Sequence, residues 1–161
     1  MTGDSDPPVA DRESNGDEPE LVVPTEIRDA ICERARDGRP AEICGVLGGS
    51  FDPDRSVVRS QYPAENVAEN VRTRYRIDPE AQLAIFERLE ACGEEIVGFY
   101  HSHPRGPSRP SKTDVETATW PDRSYLIVSL APRSIGSWRW RESSTDERES
   151  GRFEPERIED G

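Results

Sequence analysis

Residues 96–114 of the chain read IVGFYHSHPRGPSRPSKTD and contain both of its histidines. The run from Ile96 to Tyr100 is apolar apart from one glycine, which predicts a buried strand that leads into His101. Side chains two residues apart on a strand point to the same face, so His101 and His103 are expected to lie side by side, about 6 to 7 Å apart at their roots. Two imidazoles on one rigid face can bind a single metal ion if a third ligand approaches from another segment.

A proline-rich loop, residues 104–110, follows the second histidine and leads to a possible third ligand. Its three prolines restrict the loop, and Ser111 and Asp114 come next, at the predicted start of a helix. Ser-x-x-Asp is close to a capping box, so helix initiation alone could explain these two residues, and a histidine pair on a strand can be structural. Two histidines and one carboxylate suit zinc, and three protein ligands leave the fourth tetrahedral position for a water. We therefore expect one zinc ion with a bound water, held by His101, His103 and Asp114.

The candidate general base comes from an earlier segment. Water bound to zinc has its pKa lowered to about 7, but a base must still accept its proton. The helical His-Glu-x-x-His arrangement is absent from the sequence, whereas Glu42 opens the apolar run EICGVLGGSF. A carboxylate is unexpected there unless it has a role, although an exposed glutamate at a strand end is an equally simple reading. Glu42 is therefore the candidate base.

Hydrophobic periodicity outside this stretch predicts an α+β domain. The predicted elements are, in order, a helix at 25–38, a hairpin at 42–62, a short strand at 75–77, a helix at 79–92, the strand into His101, a helix at 111–120, and strands at 124–132 and 137–141. Helices and strands in this order favour a single domain with a mixed β-sheet flanked by helices.

The two ends of the chain differ in composition from the middle. Residues 1–20 hold seven acidic residues, three prolines and few apolar residues, which predicts a disordered acidic tail. The folded domain is expected over residues 21–142. Residues 143–161 are predicted to be a polar tail that can include a closing edge strand near 151–158, where Pro155 is compatible only with a sheet edge.

The net charge and the cysteines indicate the salt conditions in which the protein works, the partners it can bind and the redox state of its thiols. The 161 residues carry a formal charge of −12, and Lys112 is the single lysine, the other basic residues being arginines. An acidic chain almost free of lysine is typical of proteins that work at very high salt, although an ordinary acidic protein is the alternative. This charge disfavours nucleic acid and anionic membranes as partners. Cys32, Cys44 and Cys92 form no CxxC pair, so reduced thiols are expected.

The sequence also predicts where the protein works. No apolar run approaches the length of a transmembrane helix, and the first twenty residues lack the basic start and apolar core of a signal peptide. A cytoplasmic location is therefore expected.

Taken together, Glu42 in EICGVLGG, HSHP at 101–104 and Ser-x-x-Asp at 111–114 resemble the motif of the JAMM (MPN+, or JAB-type) metalloprotease family. The resemblance covers about residues 21–142. It implies the mixed sheet of the MPN fold, which is similar to that of cytidine deaminases. It also implies roles for five residues: His101, His103 and Asp114 as zinc ligands, Glu42 as general acid/base, and Ser111 as a hydrogen-bond donor to the tetrahedral oxyanion.

Members of this family usually hydrolyse isopeptide or peptide bonds after the C-terminal glycine of ubiquitin-like proteins. For a salt-adapted archaeal chain, the resemblance implies release of ubiquitin-like small archaeal modifiers from conjugated lysines. One alternative is the processing of sulfur-carrier proteins in cysteine or cofactor synthesis. The other is a non-catalytic scaffold, as found among relatives that have lost their metal ligands, and the complete ligand set argues against it.

Salt dependence of stability tests the assignment to a halophile. Molar KCl is expected to raise the midpoint of thermal unfolding relative to low salt, because it screens the repulsion between surface carboxylates. The measurement is circular dichroism across a KCl series at constant pH. A midpoint that does not rise with KCl would contradict the assignment.

Overall fold

The computed structural model describes residues 18–142 and 151–161. Most of the predicted acidic tail (1–17) and part of the predicted polar tail (143–150) lie outside the described residues. The elements are β1 (Glu20–Val22), α1 (Thr25–Gly38), β2 (Cys44–Ser50), β3 (Arg55–Ala64), α2 (Pro79–Ala91), β4 (Glu95–His103), α3 (Lys112–Thr117), β5 (Ser124–Leu130), β6 (Arg133–Glu142), β7 (Gly151–Pro155) and β8 (Arg157–Glu159).

The described strands form one mixed sheet in the order β7-β6-β5-β4-β2-β3-β1-β8. β4 is parallel to β5 and antiparallel to β2, and β1 is parallel to both β3 and β8. Strands in the middle of a sheet that is covered on both faces are apolar throughout, which explains why β2, β4 and β5 show little polar alternation. The predicted α+β class with a mixed sheet and flanking helices is confirmed.

Helices cover both faces of the sheet. α1 packs on one face through Ile31 and Ala35, in a core cluster that includes Tyr100 of β4. α2 packs on the other face through Ile85 and Leu89, which belong to a cluster of aromatic and aliphatic side chains. Within the described ranges, no helix is both long and apolar enough to span a membrane.

Three local predictions differ from the structure. The segment 75–77 makes only an isolated bridge, between Ile77 and Asn66, because it runs beside a loop instead of another strand. α3 ends at Thr117, three residues earlier than predicted. The helical spacing of Leu83, Phe86 and Leu89 predicts that Leu83 faces the core, but Leu83 is 59% exposed, because it lies about 200° around the helix from the buried Ile85.

The ends of the described chain belong to the sheet. Glu20 starts β1, inside the range predicted to be a disordered tail, and residues 151–159 form β7 and β8. β7 is an edge strand that ends at Pro155, as the sequence predicts, whereas β8 crosses to the opposite edge and pairs with β1. The sequence predicts one edge strand in this segment, and the structure has two.

A buried arginine joins these distant segments. Arg139 of β6 is fully buried and its Nε donates to the Glu156 carboxylate at 2.5 Å. Its other nitrogens donate to the backbone carbonyls of Glu20, Asp52, Pro53 and Asp122. The guanidinium therefore connects the first strand, the β2–β3 turn and the last described segment at one point.

Replacing this arginine is expected to destabilise the protein strongly. Arg139→Met leaves the Glu156 carboxylate buried without its partner, and such a loss costs about 3 to 5 kcal/mol of unfolding free energy. Chemical denaturation at constant KCl gives the value. Arg141→Met is the matched control, because the partly exposed pairs of Arg141 with Glu154 and Asp122 are expected to contribute less than about 1 kcal/mol. Equal losses in the two variants would contradict the role of Arg139.

Candidate active site

The sheet topology brings Glu42 to the two histidines. β2 runs antiparallel to β4 with Cys44 opposite His101, so Glu42, two residues before Cys44, lies near His103. The chain then leaves the carboxyl end of β4, forms α3 and returns as β5, parallel to β4. Side chains at the carboxyl end of such a strand and at the start of the crossover helix share one edge of the sheet, where open α/β sheets bind their ligands.

Three side-chain atoms form a compact triangle at this edge. The Nε2 atoms of His101 and His103 are 3.2 Å apart, and Oδ2 of Asp114 lies 3.2 Å from the first and 3.1 Å from the second. Tetrahedral ligands bound about 2.0 to 2.1 Å from zinc lie about 3.3 to 3.4 Å from one another. Two imidazole nitrogens and a carboxylate oxygen are also ligand types that zinc accepts. The triangle therefore fits a zinc ion in both spacing and chemistry.

Asp114 has two functions at once. Its Oδ2 accepts a 2.8 Å hydrogen bond from the Ser111 backbone N–H, while Oγ of Ser111 accepts from the Asp114 N–H at 3.1 Å. These two bonds form the capping box at the start of α3. The capping reading and the ligand reading of Ser-x-x-Asp are compatible, because the carboxylate that caps the helix also faces both histidines.

His103 is oriented by the loop that follows it. Its Nδ1 donates to the carbonyl of Pro107 at 2.8 Å, so in the neutral ring Nε2 offers its lone pair to the site. The loop itself is anchored to β5 and β6, where the hydroxyl of Ser129 donates to the Gly106 carbonyl. A side chain at Gly136 of β6 would collide with the backbone of this loop, so glycine permits the close approach.

His101 is oriented differently. Its ring is buried, and Nδ1 has no hydrogen-bond partner among residues 18–142 and 151–161. The ring of Tyr75 stacks on it, with centroids 4.3 Å apart and an angle of 22° between the planes. The two histidines thus differ in the support given to the ring beyond the triangle: Nδ1 of His103 donates to a carbonyl, whereas the His101 ring packs against Tyr75.

Glu42 is a buried carboxylic acid beside the triangle. It is 5% exposed, and a carboxylate oxygen lies within 4.8 Å of a ring nitrogen of both His101 and His103. Its Oε1 has no hydrogen-bond partner in the described part of the chain. Burial raises the pKa of the Glu42 carboxyl from 4.5 to about 7, an effect that His103 opposes and Asp114 reinforces. A carboxyl group with this pKa can both accept and release a proton near neutral pH.

The pKa values of Asp114, His101 and His103 depend on one another. Burial works against the ionised form of Asp114, but its hydrogen bonds with His101 and His103 outweigh burial and hold the pKa of this carboxyl below its usual range. Burial lowers the pKa of His101. For His103 the bonds to Asp114 and Pro107 outweigh burial, and its pKa is raised. The site therefore favours a positive charge next to the Asp114 carboxylate, which a metal cation can supply.

A cleft of about 670 Å³ opens beside the site. Residues 67–69 and 74–77 line one side, and the α3 region from Thr113 to Trp120 lines the other. Tyr75 belongs both to this wall and to the stack on His101, so the cleft adjoins the triangle, although none of the three triangle residues lines it.

The sequence did not identify two of the residues that support the site. The sequence predicts a short strand at Tyr75, and it indicates the polar segment 66–74 only as a wall of a channel for an extended peptide, with no role for Asn66 itself. A single aromatic residue between Arg74 and Arg76 was the only signal for Tyr75.

The cysteines are free, as predicted, and burial raises the pKa of the Cys44 thiol to about 12, which keeps it protonated and unreactive.

Comparisons with known proteins agree on one family. Residues 24–141 match the family described as prokaryotic homologs of the JAB domain. A desampylase of Haloferax volcanii is 45% identical over 113 residues, which are 68% of this chain and 80% of that protein. A CysO-cysteine peptidase of Mycobacterium tuberculosis is 39% identical over 109 residues, 68% of this chain and 73% of that protein. The solution structure of a Desulfitobacterium hafniense protein has a TM-score of 0.72 at 30% identity, covering 88% of this chain and 94% of that one.

The raised pKa of Glu42 predicts how the metal-free protein responds to pH. Below pH 4.5 the carboxyl is protonated in both the folded and the unfolded chain, and as the pH rises to about 7 the unfolded chain ionises first, which favours unfolding. Glu42→Gln removes this penalty, so its stability relative to the wild type is expected to increase by up to about 3 kcal/mol over that interval. Chemical denaturation of both chelator-treated proteins between pH 4 and 8 measures the difference. A difference that does not change with pH would contradict the buried carboxyl.

Proposed function

Since the chain belongs to the family of prokaryotic homologs of the JAB domain, we propose that it is a zinc-dependent isopeptidase that acts on ubiquitin-like proteins. Its reaction would be hydrolysis of the bond after the C-terminal glycine of a small archaeal modifier, which releases the modifier from a conjugated lysine. Family membership agrees with the resemblance to JAMM (MPN+) enzymes, and the relatives bear the names desampylase and peptidase.

The observation that carries this proposal is the meeting of Glu42 with three metal-ligand side chains. Glu42 precedes β2, His101 and His103 end β4, and Asp114 lies in α3, yet their polar atoms gather at one edge of the sheet. A buried base beside two imidazoles and a carboxylate is the donor set that metal-assisted hydrolysis requires.

We assign His101, His103 and Asp114 as the ligands of one zinc ion. When bound, zinc would polarise the scissile carbonyl and lower the pKa of a water molecule so that it attacks at neutral pH. The Asp114 carboxylate supplies the negative charge for the ligand set, and the Pro107 carbonyl holds the His103 ring in the tautomer that offers Nε2.

Glu42 is assigned as the general acid/base. Its carboxylate would take the proton of the attacking water and deliver it to the departing lysine amine, and a pKa of about 7 suits both transfers. Ser111 is assigned as a donor to the oxyanion. Its Oγ accepts from the Asp114 N–H, so the hydroxyl proton stays free to donate to a substrate oxygen.

The cleft supports an extended peptide as the substrate. It is lined by residues 67–69, residues 74–77 and the α3 region, and it adjoins the ligand cluster through Tyr75, so it could hold the tail that precedes the scissile bond. A Gly-Gly tail has no side chains to bind, so its backbone would supply the recognition.

A second candidate function is favoured by the mycobacterial relative. The similarity to a CysO-cysteine peptidase supports hydrolysis of a bond between a sulfur-carrier protein and an amino acid. The higher identity to the desampylase favours deconjugation from lysine. A non-catalytic scaffold is disfavoured because Glu42 and all three ligand residues are present.

Mass spectrometry of a purified modifier conjugate tests the proposal. Incubation with the zinc-loaded protein at high salt is expected to release the modifier with a free C-terminal glycine, and a modifier linked to cysteine tests the second candidate. Glu42→Ala should still bind one zinc ion per chain but lose about 10²- to 10⁴-fold in turnover, because it lacks the proton acceptor. His103→Ala should lose both zinc and activity.

The control is Glu33→Ala, which removes an exposed carboxylate from α1 and should behave as the wild type. Wild-type turnover by Glu42→Ala would refute the acid/base assignment. Full activity in an excess of chelator would refute the metal assignment.

A further inference from the structure

The side chain of Asn66 makes four hydrogen bonds in the segment that joins β3 to α2. Its Nδ2 donates to the backbone carbonyls of Glu42 at 2.9 Å and Arg74 at 3.1 Å. Its Oδ1 accepts from the backbone N–H groups of Ala68 and Arg76, both at 3.0 Å. Both amide protons and both lone pairs of the oxygen are used, which also settles the orientation of the amide.

Two of these bonds hold the backbone on either side of Tyr75. The Arg74 carbonyl and the Arg76 N–H flank Tyr75 in the chain, so the Asn66 amide fixes the peptide units before and after it. The Tyr75 ring is in turn stacked on His101. The position of this ring therefore depends on an asparagine nine residues earlier.

The stack supports the His101 ring, whose Nε2 also contacts Asp114. A metal-binding histidine usually donates its second ring nitrogen to a fixed acceptor, as His103 does to Pro107. Nδ1 of His101 has no such partner in the described ranges, so Tyr75 takes over the orienting role by packing.

A third hydrogen bond of the Asn66 side chain reaches the backbone of Glu42. The Glu42 carbonyl accepts from Asn66, and the Glu42 N–H donates to the Val71 carbonyl at 2.7 Å, so both backbone groups are bound to the same segment. Oε1 of Glu42 has no partner among the residues described. The location of the carboxylate is thus set largely through its backbone.

We infer that Asn66 is a positioning residue that supports both halves of the site, holding Glu42 through its backbone carbonyl and His101 through Tyr75. The inference rests on the proposed function, since it concerns the ligand and the acid/base group of the same site. It adds that one amide couples metal binding to proton transfer.

Zinc affinity measured without substrate tests whether Asn66 supports His101 through Tyr75. Asn66→Ala frees the backbone around Tyr75, and Tyr75→Ala removes the stack, so each should raise the zinc dissociation constant about 10- to 100-fold in competition with a chromogenic chelator. Tyr75→Phe keeps the stack and should keep the affinity. Because both losses act through one contact, which Tyr75→Ala removes entirely, the double variant should lose no more affinity than Tyr75→Ala alone.

Turnover at saturating zinc tests whether Asn66 positions Glu42 through its backbone carbonyl. Asn66→Ala should lower kcat about 100-fold with little change in KM, because Glu42 is displaced while substrate contacts remain. Tyr75→Ala should lower kcat less, since the bonds to Glu42 persist. Asn66→Asp keeps the two accepted hydrogen bonds and loses both donated ones, so it reports on Glu42 if Asn66→Ala fails to fold.

The matched control is Asn70→Ala, which alters the same segment and, within residues 18–142 and 151–161, removes a local bond to the Arg72 N–H. If Asn66→Ala and Asn66→Asp match Asn70→Ala in zinc affinity and kcat while folded by circular dichroism, the inference is overturned. A wild-type protein that binds zinc but leaves modifier conjugates intact would overturn the proposed substrate, whereas the affinity comparison would still decide the role of Asn66.

Discussion

Two hydrogen bonds between Ser102 and Ile43 connect the halves of the candidate site. The Ser102 N–H donates to the Ile43 carbonyl at 3.1 Å, and its Oγ accepts from the Ile43 N–H at 2.9 Å. Ser102 lies between His101 and His103, and Ile43 directly follows Glu42. This link therefore fixes Glu42 relative to the two histidines, although about sixty residues separate them in the chain.

The candidate site contains several buried polar groups, and hydrogen bonds must offset the free energy that their desolvation costs. Burying a polar group without a partner is unfavourable, and Asp114 avoids this by bonding the Ser111 backbone and both histidines. Oε1 of Glu42 and Nδ1 of His101 are among the described exceptions. Exceptions that lie together in one place indicate function more than imperfect packing.

The buried Arg139 and the candidate site lie at opposite ends of the sheet. Arg139 pairs in register with Ser124, the first residue of β5, and its guanidinium joins β1 to the last described segment there. The candidate site lies near the other end of the same strands, where His103 pairs with Ser129. The buried bonds of Arg139 thus lie away from the end that holds the buried Glu42 and the loop after His103.

The sequence by itself determined the α+β class, most helices and strands, and the five residues proposed for the site. It could do so because hydrophobic periodicity is local and because the histidine pair, the proline-rich loop and the Ser-x-x-Asp start of α3 lie within nineteen consecutive residues. Only the tertiary structure decided that Glu42 adjoins the histidines, that Tyr75 and Asn66 support them, and that the last described segment reaches both sheet edges. These features depend on strand register, aromatic stacking and side-chain bonds between distant segments, which leave no periodic pattern in the chain.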